Sequence, residues 1–283
     1  MGLFGVFRGP FVAAYQRTAC RGAFFARGGA CSARRDRLDC FCLASPREGR
    51  RTRVVLKPGS LAENITQVRE KIEAAARRSG RDGTDIVLVA VTKGVPLEGI
   101  EEAHALGLSL FGENRIQEAA TKVSALPPPI QWHMIGHLQT NKVPDAVRMF
   151  QMLQSVDSIR LAEKIDEECA KLDRTMPVLL EVNIAGEVQK YGFKPEEVYA
   201  AVDAAGGLPR LKIMGLMGMA PNNPEQSPRR EAFKKLKNIF SVLRSLKRNN
   251  VEMKYLSMGM SGDFEIAIEE GSNMVRIGTA LFR

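Results

Sequence analysis

The stretch Ile86-Val87-Leu88-Val89-Ala90-Val91-Thr92-Lys93-Gly94 is an apolar run that stops on a lysine. Valine at alternate positions in so short a run reads as a strand buried on both faces of a parallel sheet. A lysine that closes such a strand is expected to be desolvated, which lowers an ammonium from its ordinary ~10.4 and prepares it as a Schiff-base nucleophile. The competing reading is a side chain that snorkels off a strand end into water. The segment alone does not decide between them.

Outward from this run the pattern repeats. Further strands are expected at 108–114, 130–136, 149–156, 178–184, 211–219, 255–260 and 274–282, which makes eight with the first. Helical spacing falls between them, at about 115–125, 141–147, 158–172, 195–205, 228–248 and 263–270. In the longest, Phe233, Leu236, Phe240 and Leu243 mark one face and Lys234, Lys235, Lys237 and Arg244 the solvated other. Ser60 with Glu63 reads as a capping box that opens an additional helix over 60–79, expected to cover the bottom or side of the fold. Eight strands alternating with helices over about 220 residues predict an α/β fold, a single (β/α)8 TIM-type barrel. The turn after the first strand lacks the glycine pattern of a dinucleotide fold, and no Walker-type loop is present.

The chain carries 41 basic and 32 acidic residues, a net charge of +9. Residues 1–59 hold twelve of the former and three of the latter, leaving 29 of each beyond them. The charge therefore belongs to a leading segment, expected to be a disordered basic extension, and 60–283 is neutral, which removes the support for a basic nucleic-acid groove. Four of the five cysteines, Cys20, Cys31, Cys40 and Cys42, also lie in that segment. One cysteine in the remainder fits a reducing compartment, so a cytoplasmic protein is expected. The segment resembles an organellar transit peptide, in which case the destination is the organelle, and equally resembles sequence upstream of a true start. No run reaches the ~18 apolar residues of a membrane span.

In barrels, chemistry gathers at the C-terminal ends of the strands. There this chain puts Lys93, Asn114, His133, Ser257, Arg276, Gly278 and Thr279. His133 and His137 are two pleats apart on an expected strand, so helical zinc spacing does not apply and no metal is expected. The methionines at 214, 217, 219, 258 and 260 read as barrel filler. Gly259, Gly262 and Gly278 are either turn residues or, with nearby hydroxyls, a cradle of backbone N–H groups for phosphate. A rim lysine and a phosphate cradle together suit a phosphorylated aldehyde held as an imine, and pyridoxal 5′-phosphate needs both, with a partner for its ring nitrogen. Arg276 is placed for that partner. Arginine only donates, which leaves the pyridine nitrogen unprotonated and the ring a weak electron sink.

At Ala90-Val91-Thr92-Lys93, Phe111-Gly112-Glu113-Asn114, Trp132-His133-Met134-Ile135-Gly136-His137, Leu256-Ser257-Met258-Gly259-Met260-Ser261-Gly262 and Val275-Arg276-Ile277-Gly278-Thr279, the sequence resembles the pyridoxal phosphate homeostasis protein family, relatives of the alanine racemase barrel. The resemblance runs from about residue 60 to the end. It implies pyridoxal phosphate on Lys93, Arg276 at the ring nitrogen, phosphate held by Ser257, Gly278 and Thr279, and Asn114 and His133 along the ring. The family usually continues past Phe282 with a glycine and a further arginine, where this chain reads Phe282-Arg283.

The implied function is a carrier and not an enzyme: it keeps the reactive aldehyde low and supplies it to dependent enzymes, as a monomer or weak dimer. Lys142 and Lys190, in loops after strands, read by default as surface residues, with transient acceptance of the aldehyde as the functional alternative. The rivals are a racemase-like pyridoxal phosphate enzyme, for which Tyr191 is the tyrosine to test as second acid/base group, and a Schiff-base aldolase without cofactor. A third alternative, nucleic-acid binding, rests on the leading segment alone.

Overall fold

A computed structural model of the chain describes residues 59–126, 128–187 and 189–283; the extension foreseen over 1–59 lies, but for Gly59, outside them. The alternation in the opening run becomes the two faces of a strand, β1 (Val87–Val91). Val87 and Val89 pack inside the barrel, whereas Leu88 and Ala90 face the surrounding helices. The same alternation governs β2 (Leu110–Glu113), β3 (Gln131–Met134), β4 (Met152–Val156), β5 (Met176–Val182), β6 (Leu211–Gly218), β7 (Val251–Ser257) and β8 (Met274–Ile277). All pair parallel in sequence order, and β8 closes onto β1 with Val87 beside Met274 and Ala90 beside Ile277.

Parallel neighbours require a crossover, and α2 (Leu97–Ala105), α3 (Ile116–Ala125), α4 (Val143–Met149), α5 (Ile159–Lys171), α6 (Val198–Gly206), α7 (Gln226–Ser245) and α8 (Phe264–Glu269) supply one each. Buried Phe233, Leu236, Phe240 and Leu243 form the core face of α7, as the spacing predicts. The additional helix α1 (Leu61–Arg78) lies along the side of the barrel against α8. Its cap differs in one detail from a capping box. Ser60 Oγ accepts from Glu63 N, but the Glu63 carboxylate accepts from the amide of Gly59, one residue earlier.

Two expectations need correction. The strand foreseen over 274–282 ends at Ile277, and Thr279–Phe282 is a short helix, α9. Its residues are apolar enough for either state, and α1 binds it there: Asn64 Nδ2 donates to Leu281 O at 2.9 Å. The methionines also divide. Met214 and Met217 fill the barrel interior and Met258 the helix layer, but Met219 is half-buried and Met260 exposed, both at the upper rim.

One glycine is demanded by the barrel itself. Gly215 on β6 has φ +147°, at a register shift against β7, and a Cβ there would stand 1.8 Å from Tyr255 O. No helix among the described residues is long and apolar enough to cross a membrane.

Candidate functional site

A cavity of about 720 Å³ opens at the C-terminal ends of β8, β1 and β2, within the range that holds a cofactor-sized molecule. Five of the seven site residues expected from sequence line it: Lys93, Asn114, Arg276, Gly278 and Thr279. They come from the first, second and last strands, which closure makes neighbours. His133 and Ser257 do not line it. Both are buried on the inner face, one layer below.

Lys93 departs from expectation. β1 ends at Val91, Thr92 is buried, and Lys93 stands in the following turn with its side chain exposed to the cavity. The side chain is therefore not buried at a strand end, and what surrounds it holds the turn. Lys122 on α3 is buried, and its ammonium donates to Thr92 O at 2.7 Å, Glu113 Oε1 at 2.7 Å and Glu118 Oε1 at 2.6 Å. Glu118 Oε1 also accepts from Gly94 N at 2.6 Å, and Thr92 Oγ1 donates to Glu113. Burial pushes the Glu113 carboxyl above its ordinary range, with Lys122 and Thr92 pulling it back. For Glu118 burial acts in the same direction but is outweighed by Lys122 and the Gly94 amide, and its carboxyl lies below the usual range.

Arg276 is only 4% exposed. Its Nη1 donates to Ser257 Oγ at 2.6 Å and its Nη2 to Gly218 O at 3.1 Å. Ser257 in turn donates to Gln154 Oε1 at 2.7 Å, and Gln154 Nε2 donates to His133 Nδ1 at 2.9 Å. Donors and acceptors run one way along this chain, so His133 accepts at Nδ1 and carries its proton on Nε2. Burial lowers the imidazole to about 4, so it is neutral at pH 7. Burial also lowers Arg276, to about 10, against the pull of Glu181 and Asp263, and it remains a cation. Glu181 on β5 is buried in the same interior and raised by burial to about 7, with Arg276 opposing the rise and Asp157 adding to it.

The glycines play different parts. Gly259 has φ +96°, and a Cβ would stand 2.6 Å from Ala267 Cβ, so packing and conformation require it. Gly278 passes close over β1, where a Cβ would meet Val91 O at 3.1 Å. Its amide and that of Ala280 donate to Ser261 Oγ at 3.3 and 3.2 Å. The amide of Thr279, at the first position of α9, has no intrahelical acceptor.

Sequence reasoning missed Gln154, Glu181, Lys122 and Ser261 as contributors. Two left a trace: Ser261 among the hydroxyls of the motif around Gly259 and Gly262, and Lys122 as the i+4 partner of Glu118 on a helix next to a strand that ends on Glu113. Lys190 pairs with Glu187 at 2.7 Å, beside Tyr191, which is stacked on His137 at 3.6 Å between ring centroids.

These residues fit pyridoxal phosphate on observations of their own. Asn114 presents a buried Oδ1 with no hydrogen-bond partner at the cavity, an arginine faces it from below, and close backbone with a short helix start borders the other end.

Comparison with known proteins agrees with the fold and the motifs. The family model described as alanine racemase, N-terminal domain, matches residues 56–283. The chain is 40% identical to a pyridoxal phosphate homeostasis protein of Pseudomonas aeruginosa over 79% of this chain and 95% of that one. It is 41% identical to the Aquifex aeolicus protein of the same name, over 78% and 96%. A solved structure of PipY from Synechococcus elongatus, with PLP bound, superposes with a TM-score of 0.69 at 32% identity, covering 79% of this chain and all of that one. The chain thus belongs to the pyridoxal phosphate homeostasis protein family, built on the alanine racemase N-terminal domain.

Proposed function

We propose that this protein binds pyridoxal 5′-phosphate, holds it as a Schiff base on Lys93, and serves cofactor homeostasis by storing and releasing the aldehyde rather than by catalysing a reaction. The observation that carries the reading is the convergence of Lys93, Arg276 and the Gly278–Thr279 backbone on one cavity. When bound, pyridoxal phosphate supplies an aldehyde for an amine and a ring able to accept electrons. Lys93 offers the amine from its exposed position. Arg276, held by Ser257 and Gly218 O, directs donors at the ring nitrogen and keeps a proton off it, which weakens the ring as an electron sink. Thr279, the Gly278 backbone and Ser261 receive the phosphate, and Asn114 turns its unpartnered oxygen to the ring side. Ser257 and His133 act at one remove: Ser257 orients Arg276 directly, and His133 acts through Gln154 and Ser257.

The naming of the relatives as homeostasis proteins supports the carrier reading. So does Tyr191, which is 57% exposed, stacked on His137 and not among the residues that line the cavity. A racemase needs a second acid/base group opposite its lysine, and this tyrosine is not offered there.

The test is colour. Protein loaded with pyridoxal phosphate is expected to show the visible band of a Schiff base, and borohydride should fix the adduct on Lys93. In Lys93→Ala that adduct should be absent from the peptide spanning residue 93. A band that persists there with wild-type intensity, or turnover of an amino acid at an enzymatic rate, would overturn the proposal.

A further inference from the structure

The turn that carries Lys93 is held from both sides. On one side Thr92 is anchored twice, its carbonyl by Lys122 Nζ at 2.7 Å and its hydroxyl by Glu113. On the other, Gly94, with φ +70°, donates its amide to Glu118 Oε1 at 2.6 Å. Lys122 joins the two holds, because it also binds Glu113 Oε1 at 2.7 Å and Glu118 Oε1 at 2.6 Å. An ammonium has three N–H donors, and here each meets one oxygen.

Burying this cluster is costly. A lysine taken out of water beside a carboxylate at 0% exposure loses hydration that the Coulomb attraction only partly restores. Glu113 Oε2 is left buried with no hydrogen-bond partner. A barrel closed by apolar packing has no need of such a group between β2 and α3, where Phe111 and Ala119 already pack. What the ions do that leucines would not is fix three backbone and hydroxyl groups of one turn, and that turn carries the only lysine among the described residues that lines the cavity.

We propose that Lys122, with Glu113 and Glu118, forms a clamp of positioning residues that sets the Thr92–Gly94 turn so that the Lys93 amine meets the aldehyde in attacking geometry. The inference rests on the proposed carrier function and names how the same site is prepared. In the step concerned, the neutral Lys93 nitrogen adds to the aldehyde carbon and the resulting carbinolamine loses one water, leaving a C=N bond. No oxidant or further reactant enters. An exposed lysine on a free turn samples many geometries, and misplacement by about 1 Å is worth up to ~100-fold in rate.

Glu118 is the place to test this, since its side chain is 27% exposed and its replacement leaves Lys122 paired with Glu113. Glu118→Leu removes the acceptor of the Gly94 amide, whereas Glu118→Gln keeps an oxygen for it. Full-length wild type and both variants are mixed with pyridoxal 5′-phosphate, and with pyridoxine 5′-phosphate, which has an alcohol in place of the aldehyde. Hydrogen exchange at the Gly94 amide is measured on cofactor-free protein. We expect Glu118→Leu to form the imine about tenfold more slowly or worse, to bind pyridoxine phosphate like wild type, and to exchange Gly94 faster, with Glu118→Gln near wild type in all three. Wild-type imine kinetics in Glu118→Leu, or a parallel loss of both ligands, would overturn the clamp. Should wild type itself form no imine, the carrier function fails instead, and unchanged Gly94 exchange in Glu118→Leu would still overturn the clamp by itself.

Discussion

His133 and Glu181 lie in the same barrel interior and respond to pH in opposite senses. His133 is lowered to about 4 by burial. Between that value and its ordinary ~6.5 the unfolded chain binds a proton that the folded protein refuses, so its contribution is lost as pH falls, by about 3 kcal/mol in all. Glu181 is raised to about 7. Between its ordinary ~4.3 and 7 the folded protein holds a proton that the unfolded chain has released, and stability falls as pH rises. The two slopes offset one another around pH 5 to 6. Replacing one should uncover the other: Glu181→Gln is expected to lose stability steeply below pH 6.5, and His133→Gln to lose it from pH 4.5 up to 7. Thermal midpoints across pH 4 to 8 check this, and parallel curves for the two variants would refute it.

At the scale of the element, what could be read from sequence was what is written locally. A five-residue strand of alternating valines declares itself, as does a twenty-residue helix with one apolar face. Thr279-Ala280-Leu281-Phe282 did not, because a threonine and three apolar residues suit either state and the contact that decides it comes from Asn64, more than two hundred positions away. Separation in sequence also hid Gln154, whose role depends on Ser257 and His133 arriving from other strands. Five of the expected residues line the cavity because rim positions follow from where the strands end and from the motifs shared with the family; the buried support was not legible, since polar residues on inner faces mean nothing until their partners are known. β6 offers a test of how strict the element is. In Gly215→Ala the new methyl meets the Tyr255 carbonyl, and the β6–β7 pairing must part. A loss of at least about 2 kcal/mol in urea unfolding is expected, whereas a midpoint equal to wild type would mean the strand shifts freely.

For the whole molecule, the family model matches from residue 56 onward and the charge over 60–283 is neutral, and on these grounds we propose the barrel as the working unit. We expect a chain starting at Gly59 to keep the wild-type affinity for pyridoxal phosphate in an absorbance titration, and its loss would assign the leading segment a part in binding. Closure has a further consequence, in the order of synthesis. Lys93 follows the first strand to leave the ribosome, while Arg276, Gly278 and Thr279 belong to the last. A nascent or prematurely terminated chain carries the amine without the arginine and the cradle. On the proposed reading, any aldehyde it met would be held by one reversible bond alone, so that retaining the cofactor would require the ring to be closed by the last strand.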